Sequence, residues 1–195
     1  MKYTLYKPNS KNTGCACSFD IGSSGKNNGV SLYISFVLQS GWNDSNKTGS
    51  FKENAKNPDK TATVKLSAHE AGEFLSSLKT RIPYVAFHKS SEDTTIIKFT
   101  PWDKERKIKG KDSEESYSSP AFGLSISRNS SQSFKVALEA GETMVLAELL
   151  KDFIKQSLYA EAQNKEVSKN DSPAPAKSKG KPAPEPDDDD SDVPF

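Results

Sequence analysis

The chain has 195 residues, with 27 Lys and Arg against 26 Asp and Glu. This length allows one sizeable domain and an appendage. No stretch is long and apolar enough for a membrane span, and residues 1–8 lack the apolar run of a signal peptide. We therefore expect a cytoplasmic protein, without a membrane partner and with Cys15 and Cys17 reduced.

The formal net charge of +1 hides an uneven distribution along the chain. Residues 1–160 hold 22 Lys and Arg against 17 Asp and Glu, whereas residues 161–195 hold 5 against 9. A mildly basic body with an acidic tail suits a protein that binds a polyanion, because the tail can compete for the same surface.

Apolar residues that alternate with polar ones predict strands near residues 3–8, 13–21, 29–40, 61–67, 83–89, 94–102, 120–128 and 132–138. One helix is expected after Ser67, whose spacing to Glu70 is that of a capping box. A second is expected from about Ala140 to Tyr159, with Leu158 on its buried stripe. The polar segments 40–60 and 103–119 are interpreted as long loops.

The two strand-to-helix junctions resemble copies of each other. A shift of 72 positions pairs Leu66 with Leu138 and Glu70 with Glu142. A shift of 81 positions pairs the aromatic residues near the start of each half, Tyr3 with Tyr84 and Tyr6 with Phe87. Each half is therefore predicted to contain four strands followed by one helix.

This duplicated ββββα order resembles the Whirly-type fold, which also occurs in a eukaryotic transcriptional coactivator that binds melted DNA. The resemblance implies an α+β body over residues 1–160 that binds single-stranded DNA. It also implies a homo-oligomer, although a chain that carries both repeats could work as a monomer. The lysine-rich, alanine-containing strand motif of plant Whirly proteins is not present here. The alternative fold is the five-stranded oligonucleotide-binding barrel.

The tail has a different character. Residues 161–195 are rich in Pro, Ala, Ser, Lys and Asp, which predicts a disordered linker. The chain ends with carboxylates before an apolar terminus, and this closely resembles the acidic tip of bacterial and phage single-stranded DNA-binding proteins. The resemblance implies recruitment of a polymerase, primase, helicase or nuclease through Asp187, Asp188, Asp189, Asp190, Asp192, Val193, Pro194 and Phe195.

A surface for single-stranded DNA should combine lysines for phosphates with aromatic faces for bases. The residues that fit by strand face or loop position are Tyr33, Trp42, Phe51, Lys52, Lys65, Lys98, Trp102, Arg106, Lys107 and Lys135. An enzyme is not expected, because His69 lacks the second histidine of the zinc-protease motif and no phosphate loop is complete. No catalytic residue, metal ligand or cofactor is therefore assigned.

The sequence favours a protein that coats single-stranded DNA in replication, recombination or repair, in a phage or a bacterium. One alternative is an RNA-binding or transcription-associated module with the same fold. Another is an acidic-tailed interaction protein of the chaperone type, which binds basic proteins through its tail.

Overall fold

A computed structural model of the chain describes residues 1–24, 29–90, 93–109, 114–129 and 132–170. The recruiting tip predicted at Asp187–Phe195 lies outside the described residues. The strands are β1 Lys2–Lys7, β2 Cys15–Ser24, β3 Gly29–Leu38, β4 Gly41–Asn43, β5 Thr48–Ser50, β6 Thr61–Leu66, β7 Tyr84–Lys89, β8 Thr94–Lys109, β9 Glu114–Arg128 and β10 Gln132–Leu138. The helices are α1 Ala68–Thr80 and α2 Ala140–Asn170.

The strands form two antiparallel four-stranded sheets and a small hairpin. The first sheet has the order β1-β2-β3-β6, the second has the order β10-β9-β8-β7, and β4 pairs with β5. The predicted duplicated ββββα order is confirmed, since α1 begins at Ala68 and α2 begins 72 positions later at Ala140. The five-stranded barrel is wrong, because each half builds its own sheet and ends in its own helix.

The two helix starts have the same hydrogen bond. The backbone N–H of Ser67 donates to Glu70 at 2.8 Å, and the backbone N–H of Glu139 donates to Glu142, also at 2.8 Å. A carboxylate in the first turn also interacts favourably with the positive end of the helix dipole. The two halves therefore repeat the hydrogen bond of the helix start as well as the order of strands.

Each of these glutamates also bonds to a cationic or titratable side chain of the other half. Glu70 lies 2.5 Å from the ring of His88, and Lys7 donates to Glu142 at 2.5 Å. Lys7 is the last residue of β1, and His88, which is 81 positions later, is the second-last residue of β7. The two halves are thus joined by a reciprocal pair of contacts.

The contact with His88 helps to keep the carboxyl of Glu70 ionised. Burial acts to raise the pKa of Glu70, but the hydrogen bonds from His88 and Ser67 hold it below its usual value. A carboxyl with a lowered pKa stabilises the folded state at neutral pH, and this contribution is lost as the pH falls through that pKa. The contact between the halves is therefore expected to weaken in acid.

One continuous core contains residues of both sheets and both helices. The ring of Phe74 on α1 stacks on Phe99 of the second sheet, with centroids 4.7 Å apart. Helix α2 contacts β3 of the first sheet as well as β9 of its own. Phe36 and Phe134 join the sheets directly, at 6.2 Å. Each helix therefore covers apolar surface that belongs to the other half.

Three expectations about element boundaries are wrong. The segment 103–119 is mostly strand, because β8 and β9 continue beyond the sheet as a two-stranded arm. The segment 40–60 contains the β4–β5 hairpin and two short 3-10 turns. Helix α2 continues to Asn170, beyond its predicted end near Tyr159.

Leu158, which was expected to be buried, is 60% exposed. The buried stripe of α2 continues instead through Ser157 and Ala160. In β2, the side chains of Cys15 and Cys17 lie in the core. Neither helix, as far as the structure describes them, is long and apolar enough to cross a membrane.

The first prediction tests the equivalence of the two halves. Leu66 and Leu138 are almost completely buried, at 1% and 0% exposure, at the ends of equivalent strands. Leu66→Ala and Leu138→Ala should each lower the free energy of unfolding by about 2–5 kcal/mol, as core truncations do. The measurement is denaturant titration, with Leu158→Ala as the exposed control. One costly and one silent substitution would contradict the equivalence.

Candidate nucleic-acid interface

The second sheet has one face on the core and one face directed outward. We call its outward face the second-sheet platform. Its side chains come from four strands and include no Asp or Glu among the described positions: Val85, Phe87, Lys89, Thr94, Ile96, Lys98, Thr100, Trp102, Gly123, Ser125, Ser127, Ser133, Lys135 and Ala137. A cation-bearing surface without carboxylates attracts anions.

Strand register brings two of the predicted lysines together. Lys98 lies across from Ser125, and Ser125 lies across from Lys135. The backbones that carry the two lysines are thus two strand spacings apart, or about 10 Å. Both lysines are exposed. They form a cationic pair in the middle of the platform.

A shallow groove lies beside this pair. It has a volume of about 320 Å³, and its lining includes Thr100, Gly123 and Lys135. Gly123 contributes no side chain, so the surface stays low at the centre of the sheet. The groove can therefore accept a flat or extended ligand between the lysines and Trp102.

Exposed aromatic rings stand at two sides of the platform. Trp102 is 41% exposed and lies on the same face as Lys98, as predicted, whereas Ile97 and Phe99 are buried. Phe87 is 69% exposed and was not among the predicted site residues. The shift of 81 positions that pairs Phe87 with Tyr6 was the signal that could have identified it.

The equivalent positions differ between the halves. Tyr6 on β1 has a ring neighbour, Phe51, with centroids 5.8 Å apart. Within the described part of the chain, Phe87 has no such ring contact. The segment that carries Phe51 is inserted between β3 and β6 and has no counterpart in the second half. The two rings are similarly exposed, at 65% for Tyr6 and 69% for Phe87, and they differ in that Tyr6 has an aromatic neighbour.

Other predicted residues lie on the outward face of the first sheet. Tyr33 stands between Asp20 and Lys65 in the cross-strand register, so this face includes a carboxylate. Phe51 and Lys52 line a separate groove of about 290 Å³ over β1 and β2. These residues do not join the lysine pair of the second sheet.

Trp42 belongs neither to the second-sheet platform nor to the outward face of the first sheet. It belongs to the β4–β5 hairpin, and its indole N–H donates to Asp44 at 3.1 Å. The ring is half-buried. The structure therefore gives Trp42 a role within its hairpin and places it away from the platform.

The arm carries the remaining predicted residues, Arg106 and Lys107. Arg106 and its neighbour Lys104 form ion pairs with Glu139, and the pKa of Glu139 is held below its usual value by the hydrogen bond from Lys104 and by the charge of Arg106. Lys107 is exposed on the alternate side of the strand. Arg106 thus anchors the base of the arm to the start of α2.

Among the described residues, the side chains that could bind a metal are dispersed, and the Cys15 thiol is buried. No cluster of three or more His, Cys, Asp or Glu suitable for a metal is found among the residues described above. Burial raises the pKa of the Cys15 thiol to about 11, which keeps the thiol protonated at neutral pH.

No protein-family model matches the sequence, and no curated protein matches it either. Solved structures do match the fold. The crystal structure of WHY1 from Arabidopsis thaliana matches with a TM-score of 0.51 and 14% identity, over 88% of this chain and 94% of that chain. The crystal structure of WHY3 from Arabidopsis thaliana matches with a TM-score of 0.50 and 14% identity, over 86% and 94%. The likeness confirms the Whirly-like fold predicted from the strand order.

Proposed function

We propose that the protein binds single-stranded DNA without sequence preference. The observation that supports this function is the second-sheet platform, where a low groove lies beside the pair Lys98 and Lys135 and where Phe87 and Trp102 present exposed rings. Lysines neutralise the phosphate backbone, and aromatic rings stack on bases. Because every base has a π-face, such a surface tolerates any sequence.

The exposed rings favour a single strand over a duplex. In a duplex the bases are already stacked on one another, and only the phosphates and the groove edges are accessible. In a single strand the bases are free to stack on Phe87 or Trp102.

We further propose that the protein coats exposed strands in replication, recombination or repair, in a bacterium or a phage. The acidic tip Asp187–Phe195 would recruit a polymerase, primase, helicase or nuclease. Its sequence supports this role, because Phe195 can fill an apolar pocket while a basic rim on the partner holds the carboxylates.

The second prediction concerns binding mode. Oligo(dT) should bind far better than duplex DNA, and its affinity should fall as salt rises, with a log–log slope of about −0.7 per phosphate contact. The double variant Lys98→Ala/Lys135→Ala should make this slope shallower by about 1.4, because two contacts are lost. Fluorescence anisotropy over a salt series provides the measurement.

The control for this prediction is Lys79→Ala/Lys151→Ala, which removes two exposed lysines from the helices. Its salt slope should equal that of the wild type. Equal affinity for duplex and single strand, or a slope near zero, would refute the proposed function.

The third prediction concerns stacking. Phe87→Ala and Trp102→Ala should each weaken oligo(dT) binding by about 1–3 kcal/mol, because each removes a ring on which a base stacks. Tyr159→Ala removes a ring of α2 whose exposure, 61%, lies between those of Trp102 and Phe87, and this variant should bind normally. If both platform variants are folded and bind like the wild type, the binding surface is elsewhere.

The fourth prediction concerns the tail. Deleting Asp187–Phe195 should leave oligo(dT) affinity unchanged or modestly higher at low salt, because the carboxylates no longer compete with phosphates. The deletion and Phe195→Ala should both abolish capture of the purified polymerase, primase, helicase or nuclease, whereas Ser191→Ala should not. Loss of DNA binding on truncation, or recruitment by the truncated chain, would contradict this role.

A further inference from the structure

A polar cleft next to the platform is lined by residues of both halves. Its volume is about 500 Å³, and its lining comes from the β1–β2 turn, the end of β3, the segment between β3 and β6, and Ser133 of β10. The described lining includes no Asp or Glu. We call it the junction cleft. Its composition differs from that of the platform, because no aromatic ring contributes to this lining.

The base of the junction cleft is fixed by Gln39, which is only 4% exposed. The side-chain oxygen of Gln39 accepts from the backbone N–H of Asn9 at 2.9 Å and of Gly14 at 3.2 Å. Its side-chain nitrogen donates to the carbonyls of Asn9 at 3.0 Å and of Gly41 at 2.9 Å. These four hydrogen bonds join the β1–β2 turn to the segment after β3, so the cleft is formed before any ligand arrives.

Three exposed side chains of the lining are available to a ligand: Asn12, Lys60 and Ser133. Within the described part of the chain, none of the three side chains takes part in a hydrogen bond or an ion pair. An ammonium, an amide and a hydroxyl are the groups that contact sugar and phosphate oxygens in complexes with DNA. The junction cleft therefore suits a phosphodiester backbone.

The position of Lys60 is fixed by its own turn. The side chain of Asn57 accepts from the backbone N–H of Asp59 at 2.9 Å, and the backbone N–H of Lys60 donates to the carbonyl of Asn57 at 3.0 Å. Asp59, the neighbouring acid, accepts from the side chain of Gln132 at 3.5 Å and does not line the cleft. Lys60 is thus the charge that a ligand in the cleft would meet.

Ser133 connects the junction cleft to the platform. It precedes Lys135 by two positions on the same outward face of β10, so the Cα atoms are about 7 Å apart. Lys135 lines the groove of the platform, and Ser133 lines the junction cleft. A strand that passes from Lys135 to Ser133 therefore enters a second surface whose described lining carries a cation and no carboxylate.

We propose that the junction cleft binds the sugar-phosphate backbone of the DNA strand where that strand leaves the platform. Lys60 contacts a phosphate, and Asn12 and Ser133 donate to oxygens of the backbone. The inference rests on the proposed function and extends its site from the second half to the first. The platform stacks the bases, whereas the junction cleft holds only the backbone and so adds affinity without sequence preference.

The test is the salt dependence of oligo(dT) binding by the full chain. Lys60→Ala should make the log–log slope shallower by about 0.7, because one phosphate contact is lost. Combined with Lys98→Ala/Lys135→Ala, the loss should reach about 2.1, since all three lysines contact one strand. Lys56→Ala removes an exposed lysine of the same segment that does not line the cleft, and its slope should equal that of the wild type.

Asn12→Asp provides a second variant, which places a carboxylate in the cleft with little change in shape. It should weaken oligo(dT) binding several-fold at low salt, because the carboxylate repels phosphate. Asn46→Asp makes the same change at the exposed β4–β5 hairpin, outside the cleft lining, and should bind like the wild type. Circular dichroism checks that each variant is folded.

The outcomes separate this inference from the proposed function. If Lys98→Ala/Lys135→Ala loses slope while folded Lys60→Ala and Asn12→Asp bind like the wild type, only the junction cleft is refuted. Equal losses in Lys60→Ala and Lys56→Ala would also refute it, because the effect would then come from net charge. A wild type that ignores oligo(dT) would refute the proposed function and this inference with it.

Discussion

The packing of each helix against the other half is the constraint on which the rest of the structure depends. Phe74 of α1 stacks on Phe99 of the second sheet, and α2 contacts β3 of the first sheet. The contacts of Glu70 with His88 and of Glu142 with Lys7 fix this arrangement at both helix starts. Because the helices and the facing sheets use the inner surfaces, the outer surface of each sheet remains available to solvent and ligands.

The duplication allowed the two outer surfaces to diverge. In the first half, the segment between β3 and β6 brings Phe51 over Tyr6, and Asp20 places a carboxylate beside Tyr33. In the second half the equivalent aromatic residue, Phe87, is open, and the described outward positions of the sheet hold lysines and hydroxyls without carboxylates. The outer face of the first half thus holds a carboxylate and a pair of contacting aromatic rings, while that of the second half presents a surface suited to a polyanion.

Much of this fold could be predicted from the sequence, because buried strands and helices carry apolar residues at a fixed period. The capping box at Ser67 located α1, and the matching pattern 72 positions later located α2. The arm was interpreted as a loop because both faces of a two-stranded ribbon meet water, so its charged residues show no apolar alternation. The site was harder to predict, since the alignment of Lys98 with Lys135 depends on strand register between distant segments. Phe87 was missed because an aromatic residue in a strand usually belongs to the core.

The shared core also has a consequence for synthesis on the ribosome. The first sheet is complete once β6 has emerged, but α2, which contacts β3, is the last described element of the chain. The inner face of the first sheet is therefore exposed while the whole second half is still being translated. The nascent chain cannot complete its N-terminal half first, as proteins with separate domains do. The first half can therefore fold only after the C-terminal helix has been synthesised, and both halves then fold as one unit.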